Sequence, residues 1–457
     1  MRERLAPAVF RLPIEKIRAG YKTDVYFNRT RQILTVDKHN PRVTMQVFQK
    51  QDGATVCGVD HALAILHAGS GYYEAPEKAE KLFERYLGVE QQAYGDRRRI
   101  RSLMWAEYES VARERFEIGK ALAELWVDTF ADLSIQALWD GAMVANRESV
   151  MLIEGNLRDF VHLETLYLGA LTDGTCVATN TRRVVEAAGD KPVIMFGARH
   201  KSHESQAGDG YAAYIGGTSA VSTMEQGEYW GSKGTGTIPH ALIAAYDGDT
   251  VLATLKFDEV INGRPAGFST RPLGSSERSS PMTRDGSLQE FDPAATRVNV
   301  VSLVDFDNDS IETSLAVARA LDGRLWGVRL DTSENMIDRA IWQEIQARTR
   351  GADGNPQGVS PRLVQLVREA LDREGFPEVK IVASGGFNPE KITRFQRLGV
   401  PVDMFGVGSA LFAGAAGAYD YTADVVRPVA KVGRQYRANK RLEQLDTRAY
   451  SHRDDTP

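Results

Sequence analysis

The chain has 457 residues, and 56 Lys and Arg against 61 Asp and Glu give a formal charge of 56 − 61 = −5. With 42% hydrophobic and 26% charged residues it has a core-forming composition, which excludes wholesale disorder, and its near-neutral balance leaves no broad electrostatic footprint for nucleic acid. Only Cys57 and Cys176 are present, which excludes a disulfide framework or a four-cysteine zinc site.

The N-terminal MRERLAPAVFRLPIEK interrupts its apolar residues with Arg11 and Pro13 and shows no signal-peptide core. No segment approaches the roughly 20 apolar residues that span a bilayer. A cytoplasmic protein with no membrane partner is the expectation.

From Glu74 to about Asn146 the chain is charge-rich and helical in pattern, with YEAPEKAEKLFERYLG and RERFEIGKALAELWVDTFADL carrying apolar residues at three- and four-residue spacing. Past Val150 short apolar runs alternate with amphipathic stretches, so a domain boundary is expected near 150. The runs are Val193 to Phe196, Val251 to Phe257, Val298 to Val304, Leu325 to Leu330, Val379 to Ala383 and Val402 to Val407. Apolar strands separated by helices are what a parallel sheet buried on both faces requires, and they predict a barrel-like α/β domain. Ser360-Pro361 predicts a capped helix ending at Gly375, and Asn388-Pro389 opens the next. Residues 262–297, rich in Gly, Pro, Ser and Arg, read as an exposed insertion loop.

A (β/α) barrel assembles its active site from the loops at the C-terminal ends of its strands. Here those loops are polar. VIMF is followed by Gly197-Ala198-Arg199-His200, VVSLV by Asp305-Phe306-Asp307-Asn308-Asp309, and LWGVRL contains Arg329 and leads to Asp331. VKIVA is followed by Ser384-Gly385-Gly386, and VDMF by Gly406-Val407-Gly408-Ser409. Glycine turns at the last two strand ends let backbone N–H groups approach an oxyanion, and the helix opened by Asn388 adds its positive end, so these turns read as a phosphate site. Asp305 and Asp331 suit Mg²⁺, held directly or through water, or ribose hydroxyls; the plainer reading is helix capping or pairing with Arg199 or Arg329. Asp307 and Asp309 read as solvated loop charges. Arg199 and Arg329 offer planar forks for a carboxylate or phosphate. His240 follows Gly231-Ser232-Lys233-Gly234-Thr235-Gly236-Thr237-Ile238-Pro239 at a helix opening, suited to anion contact or nucleophilic work. His39, His61, His67, His162 and His452 read as structural, and His200 and His203 are left open.

The ordered series Thr23-Asp24-Val25-Tyr26, His162-Leu163-Glu164-Thr165-Leu166, FGARH, Gly217-Thr218-Ser219, Gly236-Thr237-x-x-His240, LVDFDND, VRLD, SGG and FGVG resembles that of nicotinate phosphoribosyltransferases. The resemblance implies an irregular TIM-like barrel over 151–412, packed on an N-terminal α+β sandwich over 1–150 that the tail, 413–457, completes, with RPVAKVGR as a strand. It implies an enzyme that joins nicotinate to 5-phosphoribosyl pyrophosphate for NAD synthesis, uses Mg²⁺, and couples the reaction to ATP hydrolysis through phosphorylated His240. Phe196, and Tyr26 from the other subunit of a homodimer, would sandwich the pyridine ring. Arg329 and Thr237 would meet its carboxylate, and Arg199, Thr218, Ser219 and Glu164 would be further substrate-binding residues. Ser384, Gly385, Gly386, Gly406 and Gly408 would hold phosphate, with Asp305 and Asp331 as catalytic or metal-binding carboxylates. His200 and the LVDFDND run depart from the family pattern. Alternatives are a nicotinamide or quinolinate phosphoribosyltransferase, or a catalytically silent relative with a binding or regulatory role.

Overall fold

The computed structural model describes residues 3–92, 105–263, 298–347, 355–414 and 418–451. They form two compact units, one of Met1–Asn180, Tyr211–Gly216 and Gly414–Pro457, the other of Thr181–Gly210 and Gly217–Ala413.

The first unit is built on a five-stranded antiparallel sheet in the order Tyr421–Arg427, Arg42–Gln49, Ser149–Asn156, Ser134–Ala137 and Glu443–Gln444. Its central strands are buried on both faces, and the helix Val59–Gly69 and the start of Glu164–Ala188 share their core, with Leu63, Leu66, Phe130, Ile135, Tyr167 and Tyr450 fully enclosed. The tail contributes edge strands to this sheet, and the first of them is Tyr421–Arg427 rather than RPVAKVGR. Pro428 lacks the N–H a strand would donate, and the pairing stops there. The texture change near 150 is not a domain boundary, because Ser149–Asn156 is the middle strand of this sheet; the shift from charged to apolar residues marks burial. Likewise the helical pattern of 74–146 holds for Pro76–Glu90 and Trp105–Glu124 and then gives way to the strands Trp126–Asp128, Ser134–Ala137 and Met143–Val144.

The segments Thr23-Asp24 and Glu164-Thr165 meet in this unit. The Thr165 hydroxyl donates to Asp24 Oδ2 at 2.7 Å, while its oxygen accepts from the Asp24 N–H at 3.1 Å. Tyr26, at the start of helix Val25–Val36, is 59% exposed, with its hydroxyl 3.4 Å from Asp24 Oδ2. Burial, reinforced by Asp424 and Asp24, pushes the Glu164 carboxyl up to about 7.

The second unit holds six parallel strands: β1 (Val193–Met195), β2 (Ala220–Val221), β3 (Val300–Leu303), β4 (Leu325–Leu330), β5 (Lys380–Ala383) and β6 (Met404–Val407), hydrogen-bonded in the order β3-β4-β5-β6-β1-β2. The ends of this series are joined by the extended stretch Gly234 to Ile238. Gly234 bridges Val221 in parallel, the Thr235 N–H donates to Val221 O at 2.8 Å, and the Ile238 N–H donates to Val301 O at 3.1 Å. That stretch closes the ring as an irregular seventh stave, giving the TIM-like barrel. Between the strands, helix Pro361–Arg373 is capped by Ser360, whose Oγ accepts the Leu363 N–H, and Leu363, Val364, Val367, Ala370 and Leu371 form its buried face. Asn388 caps Pro389–Arg397 in the same way.

One expected strand is a helix: Val251 to Phe257 lies within Thr250–Phe257. Asp249 accepts the Leu252 N–H as N-cap, and the buried positions 250, 253 and 254 follow helical spacing, so the local cap and the buried face override the strand-like composition. The expected loop at 262–297 lies, from 264 on, outside the described residues, as does His452. Among the described residues no helix is long and apolar enough to cross a membrane.

Because Glu164 ionises only near neutrality in the folded chain against 4.5 normally, the folded state keeps a proton that the unfolded state has released. This contribution to stability is present below pH 4.5 and is lost as pH rises to about 7. Urea midpoints should therefore shift in favour of Glu164→Gln over the parent between pH 4.5 and 8, and a pH-independent difference would contradict the burial argument.

Candidate active site

The C-terminal strand ends of the second unit surround a cavity of about 640 Å³. At one wall Phe196 follows β1, its N–H donating to Val407 O at 2.7 Å. A side chain at position 406 would run into the Phe196 ring, so Gly406 is what lets that ring lie against β6. Arg329, from β4, has its guanidinium carbon 5.6 Å from the Phe196 ring centroid. Burial lowers the pKa of Arg329, an effect opposed by Asp331 and Asp305, and its Nε has no hydrogen-bond partner among the described residues. Its Nη2 stands 3.4 Å from Asp331 Oδ2, long for a charged pair. An aromatic face with an under-occupied guanidinium above it suits a flat, carboxylated ring.

Also on the rim, the closing stave ends at Pro239, and His240 begins the short helix His240–Ala245. His240 Nε2 lies 3.6 Å from Asp305 Oδ2. Asp305 is buried just after β3, beside His240 but not itself among the residues that line the cavity, and its Oδ1 has no partner among the described residues. Burial raises the Asp305 pKa, the His240 imidazole opposes the rise and Asp331 adds to it. Thr237, Arg199 and His200 also line the cavity, and the His200 ring lies 6.1 Å from that of Phe412.

The floor is the Ser384-Gly385-Gly386 turn together with Gly406 and Gly408. Gly385 and Gly386 have φ of 86° and 64°, the left-handed region that glycine enters without a Cβ clash. Lys391, in the first turn of the helix beyond, donates to Gly385 O at 2.9 Å; burial lowers its pKa and Glu334 opposes this. Lys391 itself faces a neighbouring pocket with Glu334, so at the cavity the anion-binding character of this turn rests on its backbone N–H groups and the helix opening beyond it.

Some expected site residues lie elsewhere. Thr218 is buried with its hydroxyl unpartnered among the described residues, and the Ser219 hydroxyl donates to Val193 O at 3.0 Å. Gly217-Thr218-Ser219 leads into β2 rather than out of it, so neither side chain lines the cavity. Tyr26 and Glu164 belong to the first unit. Asp309 pairs with Arg339 at 2.8 Å instead of being merely solvated. Ser222, Thr235 and Ser409 line the cavity without having been expected. Ser222 follows a two-residue strand too short to register as an apolar run, and Thr235 belongs to a stave that has no apolar pattern.

No protein-family model matches the chain. It is 27% identical over 280 residues to a nicotinate phosphoribosyltransferase of Mycobacterium tuberculosis, covering 60% of this chain and 49% of that protein. It is 26% identical over 291 residues to the nicotinate phosphoribosyltransferase of Bacillus subtilis, covering 62% and 46%. The chain thus spans about half the length of the curated relatives it matches. Among solved structures, a nicotinate-nucleotide pyrophosphorylase from Pyrococcus furiosus aligns with a TM-score of 0.61 and 25% identity over 94% of this chain and 84% of its own. Human nicotinic acid phosphoribosyltransferase shares the fold, with a TM-score of 0.53 and 17% identity over 90% of this chain and 76% of its own. Over about three fifths of its length the chain is similar in sequence to nicotinate phosphoribosyltransferases, and its fold is the one these two solved proteins share.

Proposed function

We propose that this chain is a nicotinate phosphoribosyltransferase, making nicotinate mononucleotide and pyrophosphate from nicotinate and 5-phosphoribosyl pyrophosphate. The observation that carries the reading is the pairing of Phe196 with Arg329, 5.6 Å apart, in a cavity whose floor is two glycine turns. The similarity to nicotinate phosphoribosyltransferases supports the same substrates.

In this reading nicotinate lies flat on Phe196 with its carboxylate toward Arg329 and Thr237. The phosphoribosyl 5-phosphate takes the N–H groups of the Gly385 and Gly408 turns. The ring nitrogen forms its bond to ribose C1 as the bond to pyrophosphate breaks, and the cationic character that develops at C1 is tolerated beside Asp331. Arg199 and His200 lie where they can accompany the departing pyrophosphate.

Asp305 and Asp331 fit Mg²⁺ arriving with a polyphosphate, since Mg²⁺ keeps several waters and takes one or two protein carboxylates together with substrate oxygens. No group of three His, Cys, Asp or Glu suited to hold a metal by itself occurs among the described residues, and such an ion does not need one. When bound, it would neutralise charge on the leaving group.

ATP coupling at His240 belongs to the same proposal. The His240 imidazole, with Nε2 3.6 Å from Asp305 Oδ2, would attack the terminal phosphorus of ATP through a ring nitrogen lone pair as ADP departs, and Asp305 is near enough to accept the ring proton then released. The working form is a cytoplasmic homodimer in which Tyr26 of one protomer completes the ring sandwich of the other; its 59% exposure on a helix without buried residues is consistent with that role.

Incubation with 5-phosphoribosyl pyrophosphate, Mg²⁺, ATP and a pyridine should yield mononucleotide from nicotinate and little from nicotinamide or quinolinate. Product from neither nicotinate nor its analogues would overturn the reading, and preference for nicotinamide would redirect it. His240→Ala should lose acid-labile phosphate from ATP while retaining slow, ATP-independent turnover. Arg329→Leu, which removes a charge-assisted contact, should lower kcat/KM for nicotinate by roughly 10- to 100-fold, mostly through KM.

A further inference from the structure

We infer that Ser384 is a positioning residue for Asp331 and not itself a phosphate ligand. The argument begins with strand register. β4 and β5 are parallel neighbours in which Leu330 pairs with Ala383, so the next residues, Asp331 and Ser384, stand side by side where the two strands end. Side chains at paired positions of neighbouring strands lie on the same face of the sheet. The Ser384 hydroxyl accordingly lies 2.8 Å from Asp331 Oδ1 and 3.0 Å from Leu330 O.

A serine hydroxyl has one proton, and these are two acceptors. The Leu330 carbonyl already receives the Ser384 backbone N–H at 2.9 Å, whereas Asp331 Oδ1 is charged and closer. The proton therefore goes to the carboxylate. Ser384 is 3% exposed, and with its proton committed it offers an incoming phosphate only lone pairs. Recognition of the anion at this turn falls to the backbone N–H groups of Gly385 and Gly386. Gly385 is required by its left-handed φ of 86° rather than by space, since a Cβ there would make only ordinary contact with Asp331 Oδ1 at 3.4 Å.

The hydrogen bond holds Asp331 back from Arg329. With Oδ1 tied to Ser384, Oδ2 reaches Arg329 Nη2 only at 3.4 Å, and neither the carboxylate nor the guanidinium is used up by the other. Released, the carboxylate would turn onto the fork of Arg329, where a bidentate pair is favoured in a partly buried setting. One serine hydroxyl would thus keep both ends of the cavity's charge pair available to ligands.

The kinetic arm of the test rests on the proposed phosphoribosyl transfer; the structural arm does not. In a crystal structure of Ser384→Ala, Asp331 should rotate so that an oxygen lies within 3 Å of Arg329, and an unchanged Asp331 rotamer would overturn the inference whatever the activity. In the enzyme, Ser384→Ala should lower kcat/KM for 5-phosphoribosyl pyrophosphate by about tenfold, the usual effect of losing a partner that orients a ligand-binding carboxylate. The same substitution made in Asp331→Asn should cost nothing further. Equal losses in both backgrounds would mean that Ser384 supports the turn or the phosphate directly, and would overturn it. Ser384→Cys, nearly isosteric but a weak donor, should behave like the alanine variant and guards against a packing artefact. A parent protein without transferase activity would refute the proposed function and leave the crystallographic result to decide this point.

Discussion

Closure of the parallel ring depends on a stretch that is not a regular strand. Six strands run from β3 round to β2, and the gap is bridged by Gly234 to Ile238 through hydrogen bonds to Val221 on one side and Val301 on the other. The same stretch carries Thr235 and Thr237 to the cavity and ends at Pro239, which has no N–H to continue pairing, so the chain must leave the ring there. His240 is delivered at that exit. Closing the barrel and carrying the His240 imidazole to the cavity are thus done by one backbone path.

Within the mouth, charge is distributed sparingly. Burial raises Asp305 and lowers Arg329, shifts that both favour the neutral form, and each is restrained by the opposite charges nearby. Asp305 Oδ1 and Arg329 Nε are left without partners among the described residues. Buried polar groups in folded proteins are ordinarily satisfied, and here the unmet ones belong to Arg329, which lines the cavity, and to Asp305, which stands beside the lining residue His240.

Much of this was legible in the residues alone. The β4 run Leu325 to Leu330 is found as read, the Ser360 and Asn388 caps operate as their residue types demand, and the polar groups after the strand ends converge because parallel strands deliver them to one face. Each failure has a local physical cause. Val251 to Phe257 has strand composition, but one carboxylate at Asp249 and a buried stripe at 250, 253 and 254 outweigh it. Thr218 and Ser219 were placed by analogy of motif, whereas their side of β2 is fixed by chain direction. Ser222 and Thr235 were invisible because a two-residue strand and an irregular stave leave no periodicity to detect.

The antiparallel sheet of the first unit takes its outer strands from far along the chain: Tyr421–Arg427 at one edge and Glu443–Gln444 at the other. During synthesis the strands Arg42–Gln49, Ser149–Asn156 and Ser134–Ala137 are all made long before those two. Until the tail emerges, the nascent sheet presents unpaired backbone along both margins, and pairing across nearly 400 residues is among the slowest kinds of contact to form. The first unit therefore cannot finish on the ribosome ahead of the second. The barrel is complete in sequence before the sheet that precedes it, and the interval between the two is when this chain is most in need of protection from other copies of itself.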